Sequence, residues 1–396
     1  MLYRPESFGP LTEEAWNEPR VRDAIAAIVA DADAAYDPEG LWPANDWDAW
    51  QAATPLKNLY CGAAGVVWAL DALRRRGYAE TQLDLAAVAA RALELWRAEP
   101  DLITDTELPS PPASSLVFGE TGILLLAWRL APSTELADTL LERVRDNVPN
   151  GADELMWGTA GTLLAAHAMH QLTGEARWAR AWIDSAEALL ARRGEDGVWT
   201  QNLHGSLARY IGPAHGLVGN VQALLQPGGE ANETLELETA AVLKAEAVIE
   251  DGLANWPALA GGDLVPRDGE IRVQWCHGAP GIVTSSAGYL DEELLLAGAE
   301  LTWRSGAHGQ EKGHGICHGT AGNGFALLKT FARTGDEGWL DRARRFAVHS
   351  LVQAEDARAE LGHGRYSLFT GDVGAALFAA ACLDVDPRFP VLDGWD

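Results

Sequence analysis

The chain has 396 residues, of which 57 are acidic and 30 are Lys or Arg, giving a formal net charge of −27 at pH 7. A charge this negative opposes binding to nucleic-acid phosphates or to anionic membrane surfaces. The four cysteines are too few for a disulfide framework in a chain of this length.

The first residues give no sign of targeting. Met1 is followed by polar and charged residues such as Arg4 and Glu6, with no basic segment leading into an apolar run. No apolar stretch approaches the roughly 20 residues that a membrane-spanning helix needs. The sequence therefore predicts a cytoplasmic protein with no membrane insertion and no nucleic-acid partner.

A Gly-x-x-Gly motif followed by an apolar helical run occurs seven times along the chain. The first glycines of successive motifs are separated by 39 residues (119 to 158) up to 62 residues (216 to 278), enough for two helices and their connections. One such motif is a weak signal, whereas seven indicate a repeat of helical pairs. The glycine pairs are Gly62/Gly65, Gly119/Gly122, Gly158/Gly161, Gly216/Gly219, Gly278/Gly281, Gly319/Gly322 and Gly371/Gly374.

Charged, amphipathic segments alternate with the apolar ones. The apolar runs are hydrophobic nearly all round, as in helices buried on most faces, and glycines such as Gly77 and Gly335 are expected to end them. Seven buried helices inside seven amphipathic ones predict an all-α (α/α)7 toroid, forming one domain over residues 1–396. The amphipathic segments are 19–35, 83–96, 136–144, 176–190, 235–249, 292–303 and 339–352.

Residues placed just before the glycine motifs are expected to project into one shared mouth. The first glycine permits a sharp turn and the second lets the inner helix start close to its neighbour, so the helix N-termini converge. Two cysteines and one imidazole set there are a ligand set for zinc that leaves one coordination position open. The residues expected around the mouth are Glu154, His215, Cys276, His277, Cys317 and His318.

These motifs resemble the lanthionine synthetase C-like (LanC-like) family, over nearly the whole chain. The most specific feature is Trp-Cys-His-Gly-Ala-Pro-Gly at 275–281 combined with Cys-His-Gly-Thr-Ala-Gly at 317–322, both in register with the repeat. Further matching segments are 58–62, 153–158, 214–217 and 366–371.

The resemblance implies a toroid that holds zinc through Cys276, Cys317 and His318. It also implies that a zinc-activated thiol adds to the β-carbon of dehydroalanine or dehydrobutyrine in a peptide. The thiol is either the peptide's own cysteine or a small thiol such as glutathione, and the residues leave both versions open. A dehydratase is a possible partner, because such a peptide must first be dehydrated.

The addition requires a group that protonates the α-carbon, and the resemblance assigns this role to His215. It places Arg272 where it would hold the enolate oxygen, and Glu154 where it would orient His215 or the substrate. Alternatives remain for each: His215 as a cap of its turn, Arg272 in a loop ion pair, and Asp153 as the relevant carboxylate instead of Glu154.

Three more residues are assigned to substrate binding. By resemblance His277 is a pocket wall, and Lys312 and Arg4 contact glutathione. His314 lies close enough in sequence to the zinc loop to line the mouth. Trp42, Trp47 and Trp50 cluster near the N-terminus, where core packing is favoured over covering a peptide groove.

Two other classes of function remain as alternatives to a thiol-adding enzyme. A zinc-containing protein that binds a peptide or glutathione without turnover is the main alternative, and the presence of an acid such as His215 argues against it. A glycosidase on a helical toroid would need opposed carboxylates and no thiolates, so Cys276 and Cys317 disfavour that class.

Overall fold

The computed structural model describes residues 1–49, 52–101, 112–203, 205–226, 232–265 and 269–395, and Trp50 lies outside them. The described residues form fourteen α-helices and three small two-stranded sheets. Seven helices are inner: α2 (Ala63–Arg75), α4 (Glu120–Leu130), α6 (Thr159–Thr173), α8 (Leu217–Leu224), α10 (Ala279–Ser286), α12 (Thr320–Thr334) and α14 (Asp372–Asp384). Seven are outer: α1 (Glu18–Ala35), α3 (Leu85–Ala98), α5 (Thr134–Asp146), α7 (Ala176–Ala191), α9 (Asn232–Glu246), α11 (Glu292–Ser305) and α13 (Glu337–Leu361).

The inner helices close into a ring, which confirms the predicted toroid. Each inner helix packs against the next one in the chain, and α14 packs back against α2 and against α1. Every inner helix begins directly after the first glycine of a repeat motif. The seven N-termini therefore meet at one end of the ring, where the residues just before the glycines surround a common mouth.

Gly278 and Gly281 show why the motif needs glycine. Gly278 has φ of 99°, a conformation that L side chains rarely adopt. A Cβ on Gly281 would lie 1.8 Å from the carbonyl oxygen of Trp275 and 2.7 Å from Cδ of Pro213. The start of α10 is thus pressed against the backbone that carries Cys276.

Two predicted outer helices differ from the structure by three or more residues at one end or both. The predicted end of the helix at 235–249 is wrong, because α9 stops at Glu246. The next residues form β4 (Val248–Glu250), which pairs with β5 (Leu253–Asn255). Asp251 and Gly252 both take positive φ, as a tight hairpin turn requires, so the Asp-Gly pair overrides the helical pattern. The last outer helix, α13, runs beyond the predicted 339–352 at both ends.

Two further sheets lie beside the turns that precede inner helices. β1 (Phe8–Gly9) pairs antiparallel with β6 (Ala307–His308), which fixes the N-terminal residues beside the loop before α12. β2 (Gln201–Leu203) and β3 (Ser206–Ala208) form a hairpin that leads into the turn before α8.

The C-terminal segment enters the ring and supports the mouth from below. Phe389, Val391, Leu392 and Trp395 are all buried. The ring of Phe389 stacks on that of Trp275, with centroids 4.7 Å apart and planes 14° apart. Because Trp275 directly precedes Cys276, this stack fixes the backbone of a candidate metal ligand.

None of the helices within the described ranges is both long and apolar enough to cross a membrane. The cytoplasmic location and the organisation as one domain over 1–396 stay predictions.

Candidate functional site

Cys276, Cys317 and His318 come together at the mouth. One ligand atom from each lies within 4.8 Å of the others, and no other group of three or more His, Cys, Asp or Glu in the described part of the chain is arranged in this way. The Sγ of Cys276 is 3.8 Å from Nδ1 of His318. Both cysteines are buried and neither forms a disulfide.

This arrangement fits a tetrahedral metal ion. Zinc–sulfur and zinc–nitrogen bonds of about 2.3 and 2.05 Å place S and N about 3.6 Å apart in a tetrahedron, close to the observed distance. Two thiolates and one imidazole suit zinc better than hard cations, which prefer oxygen ligands. The three residues could therefore hold zinc, with one position left for another group.

Backbone hydrogen bonds tie the ligands to the neighbouring turns. The N–H of Cys276 donates to the carbonyl of Cys317 (3.2 Å), and that of Cys317 donates to Phe369 (2.8 Å). Phe369 in turn donates to Tyr60 (3.0 Å), so four successive turns of the ring are linked. Nε2 of Gln274 also donates to Sγ of Cys276 (2.9 Å), which stabilises a thiolate there.

The two thiols have opposite pKa shifts. A hydrogen bond from Cys317, with a further one from His318, holds the pKa of Cys276 well below its usual value despite burial. Burial and the neighbouring Cys276 raise the pKa of Cys317, against which a hydrogen bond from Tyr60 acts. One thiolate is therefore favoured even without a cation, and a bound cation would favour the second.

His215 and Glu154 form a hydrogen-bonded pair beside the ligands. Nδ1 of His215 lies 2.8 Å from Oε2 of Glu154. The carboxylate of Glu154 is fully buried and also accepts hydrogen bonds from the N–H groups of Met156 (2.9 Å) and Gly158 (3.0 Å), just before α6. These contacts fix the carboxylate and require Nδ1 of His215 to be the protonated nitrogen facing it. Nε2 is then the nitrogen left to exchange a proton.

The carboxylate that is hydrogen-bonded to His215 belongs to Glu154 and not to Asp153. Asp153 accepts a hydrogen bond from Arg192 at 2.7 Å. Burial lowers the pKa of His215, but the hydrogen bond and charge of Glu154 outweigh burial and the pKa is raised. The pair therefore keeps a protonated imidazole populated closer to neutral pH.

Lys312, Arg272 and Arg4 gather near Glu270. Nζ of Lys312 is 3.0 Å from Oε1 of Glu270, and Arg272 binds the other carboxylate oxygen. Nη2 of Arg4 would lie 3.2 Å from a Cβ on Gly269. Burial raises the pKa of Glu270, but its hydrogen bond with Lys312 and the nearby cations outweigh this and lower it. Lys312 and Arg272 share the Glu270 carboxylate, Arg4 lies beside the neighbouring Gly269, and the ion pair considered for Arg272 is present.

A family model described as lanthionine synthetase C-like protein matches residues 48–393, most of the chain. The chain belongs to the LanC-like family. A solved structure named nisin cyclase superposes with a TM-score of 0.58 at 16% identity, covering 92% of this chain and 93% of that one. At this identity the superposition supports the fold alone.

Two curated relatives match part of the chain. Glutathione S-transferase LANCL1 of Danio rerio is 30% identical over 197 residues, which is 46% of this chain and 46% of that protein. A LanC-like protein of Arabidopsis thaliana is 27% identical over 257 residues, or 60% of this chain and 57% of the relative. The match thus spans about half the length of these LanC-like relatives.

His277 lines the mouth of this LanC-like protein. Its ring centroid lies 5.3 Å from that of Tyr210 and 6.0 Å from that of His215. Burial lowers the pKa of His277 to about 4, so the ring is neutral at physiological pH. The prediction that His314 lines the mouth is wrong, because its side chain is buried and hydrogen-bonded to Asp372 at 2.8 Å.

The two described tryptophans of the cluster at 42, 47 and 50 have different environments. Trp42 is buried and donates Nε1–H to the carbonyl of Ala32, as core packing predicts. Trp47 is 58% exposed, and its ring centroid lies 5.0 Å from that of His318. The packing interpretation therefore holds for Trp42 but does not describe Trp47.

Sequence reasoning missed several residues of the site. Tyr60 occupies the position two residues before the first glycine of its motif, the same position as Cys276 and Cys317, so the repeat itself is a signal that could have found it. Gln274 lies in the same loop as Cys276, but no repeated position marks it. Tyr210 and Glu270 have no such signal either, because they meet His277 and Lys312 through contacts between different loops.

Proposed function

We propose that this protein adds a thiol to dehydroalanine or dehydrobutyrine in a peptide, with zinc held by Cys276, Cys317 and His318. The thiol is the peptide's own cysteine or a small thiol such as glutathione. The single observation that carries the proposal is that a three-ligand cluster and the His215–Glu154 pair open into the same mouth. A dehydratase would supply the dehydrated peptide.

When bound, zinc lowers the pKa of a coordinating thiol and presents it as a thiolate near neutral pH. The new bond forms between the thiol sulfur and the β-carbon of the dehydroamino acid. The π electrons of the carbon–carbon double bond move toward the carbonyl and give an enolate. The proton lost by the thiol is replaced by a proton delivered to the α-carbon, so the reaction needs no oxidant or reductant.

In this proposal His215 delivers that proton. With Nδ1–H held by Glu154, protonated His215 donates from Nε2 to the α-carbon and becomes neutral. Its raised pKa keeps the acid form populated, and the neutral form afterwards regains a proton from solvent. Arg272, whose side chain is about three-quarters buried, would stabilise the enolate oxygen by charge.

Lys312 and Arg4 would bind carboxylates of the thiol. Within a chain of net charge −27, this local group of cations attracts an anionic thiol that the rest of the surface repels. The name of the Danio rerio relative, glutathione S-transferase, favours glutathione as such a thiol. His277, neutral and half-buried, would form part of the pocket wall beside His215.

The test is to incubate the zinc-loaded protein with a dehydroalanine peptide, with and without glutathione, and to record mass shifts and loss of free thiol. His215→Ala should keep its zinc and slow addition by about 10²–10⁴-fold, the usual contribution of proton delivery. Unchanged turnover in that variant would remove His215 from the reaction. Stoichiometric peptide binding with no thioether formed by the unaltered protein would favour the non-catalytic alternative.

The cation cluster needs a separate experiment. Lys312→Ala should raise the KM for glutathione and leave cyclisation of a cysteine-containing peptide unchanged, because the lysine contributes to binding a carboxylate and not to the reacting atoms. Lys244→Ala removes an exposed lysine of α9 that pairs with Asp291, and serves as the matched control. An equal KM in both variants contradicts a glutathione site at Lys312.

A further inference from the structure

The proposed reaction leaves the exposed indole of Trp47 beside the metal ligands unexplained. Its ring meets that of His318 edge-on, with an angle of 71° between the planes. Trp47 therefore lies beside a residue that would hold the metal. Trp47 also lies just outside the range matched by the family model, which starts at Asp48. The contacts of Trp47 within this chain are therefore the basis for assigning its role.

A buried clamp fixes the position of Trp47. The carboxylate of Asp48 is almost fully buried and forms a two-point ion pair with Arg365 at 2.7 and 2.8 Å. The hydroxyl of Thr370, directly before the seventh glycine motif, lies 2.9 and 3.0 Å from its two oxygens. Charge-assisted pairs of this geometry are strong and directional. The clamp therefore anchors the residue next to Trp47, whose indole contacts the ring of His318 and the guanidinium of Arg365 although most of its surface is exposed.

A cation that lies beside the indole is paired with a carboxylate. The guanidinium carbon of Arg365 lies 5.5 Å from the ring centroid, but Asp48 balances its charge. The cations Lys312 and Arg272, in contrast, share the single carboxylate of Glu270, and Arg4 lies beside Gly269. The mouth thus has two kinds of surface, a cationic one for carboxylates and an apolar one formed by Trp47.

We propose that Trp47 determines specificity by packing against a bulky apolar or aromatic side chain next to the dehydrated residue of the peptide. The identity of that reacting residue rests on the proposed function, whereas the packing itself does not. A rigid indole gives a large contact area at little entropic cost, and aromatic pairs contribute about 0.5–1.5 kcal/mol beyond burial, or about 2- to 12-fold in affinity.

The test uses two acetylated peptides that differ only in the residue before an alanine, which is Phe in one and Ser in the other. Binding is measured by calorimetry on zinc-loaded and on metal-free protein, so the result does not depend on turnover. The unaltered protein should bind the Phe peptide about 2- to 12-fold more tightly, Trp47→Ala should lose this preference, and Trp47→Phe should keep part of it. Leu237→Ala, which removes an exposed side chain of α9, is the control and should behave like the unaltered protein.

A second measurement replaces the alanine by dehydroalanine and follows addition of glutathione. Trp47→Ala should raise the KM for the Phe peptide and leave kcat and the KM for glutathione unchanged. If Trp47→Ala retains the Phe preference, the assignment is overturned. If Trp47→Ala raises the KM for glutathione instead, the assignment is also overturned, because the thiol would then be the group that packs on the ring. Absence of thioether with either peptide, together with a Trp47-dependent binding preference, defeats the proposed reaction but supports this binding role.

Discussion

Two adjacent acidic residues show how local backbone geometry separates a site residue from a structural one. Asp153 has a positive φ of 45°, which turns its side chain toward Arg192, while the next carboxylate, that of Glu154, meets His215. Sequence spacing alone cannot make this distinction, because both residues carry the same charge and lie one position apart. The structure makes Glu154 the residue that tunes the candidate acid.

Glu154→Gln should lower the pKa of His215, because burial remains while the opposing charge is removed. Since the acid form of His215 is the active one, the alkaline limb of the pH–rate profile should move to lower pH, with about tenfold or greater loss of rate near neutral pH. The pKa is measured by NMR of the imidazole and the rate by mass spectrometry.

Asp153→Asn is the matched control for that experiment. It removes the neighbouring carboxylate, which is paired with Arg192, and should leave the alkaline limb in place. A pH profile that shifts equally in both variants would show that general charge near the mouth, and not the Glu154 contact, sets the pKa.

Zinc binding should depend on the thiol of Cys276 and not on a cysteine elsewhere in the fold, such as Cys382. Cys276→Ala should lose more affinity for zinc than the roughly 10–100-fold that removal of a ligand's hydrogen-bond partner costs, because it removes a ligand outright. Cys382→Ala, at a fully buried position in α14, should retain one zinc per chain. Elemental analysis after dialysis measures both, and full zinc occupancy in Cys276→Ala would falsify the ligand assignment.

At the scale of elements, the position of each inner helix start determines where the mouth residues lie. Cys276, Cys317 and Tyr60 occupy the same position before their glycine motifs, and hydrogen bonds between successive turns link them through Phe369. A shift of one helix start is therefore transmitted to the ligand carried by that turn, and then to its neighbours.

Gly281→Ala should displace α10 from Trp275, since the added Cβ would lie 1.8 Å from the Trp275 oxygen. Overpacking of this kind costs about 1–3 kcal/mol of unfolding free energy. We expect weaker zinc binding as well, because Cys276 follows Trp275. Calorimetric unfolding and zinc titration measure the two effects.

Gly288→Ala is the control for the glycine prediction, because a Cβ there meets nothing within 4 Å. It should leave zinc affinity unchanged and alter stability little. Zinc affinity that remains normal in Gly281→Ala, despite a lowered unfolding temperature, would show that the ligands are positioned independently of the start of α10.

The glycine motifs made the toroid predictable, and tertiary contacts account for what was missed. Seven repeated turns specify the ring and place Cys276, Cys317 and His318 at one end before any contact is known. The strand at 248–250 was missed because the amphipathic pattern was extended to residue 249, although the Asp251-Gly252 turn that follows makes residues 248–250 one arm of a hairpin. The Asp48–Arg365 clamp joins residues 317 positions apart, so no local pattern reveals it.

At the scale of the whole molecule, the mouth is supported from both ends of the chain. β1 pairs with β6 and places Arg4 near Glu270, while the C-terminal segment stacks Phe389 on Trp275. The site is therefore built from residues of the first, middle and last parts of the sequence. An arrangement of this kind favours the prediction that residues 1–396 form one domain.

A single domain predicts one cooperative unfolding transition. Because the inner helices close into a ring with no free end, no part of the ring should unfold while the rest remains packed. Zinc at about 100-fold above its Kd would stabilise the fold by about 2.7 kcal/mol, which raises Tm by only about 3 °C for a chain of this size. Differential scanning calorimetry with and without zinc should therefore show one peak that moves slightly as a unit. Two peaks, of which zinc shifts only one, would instead place a domain boundary in the chain and restrict the metal site to one of the two parts.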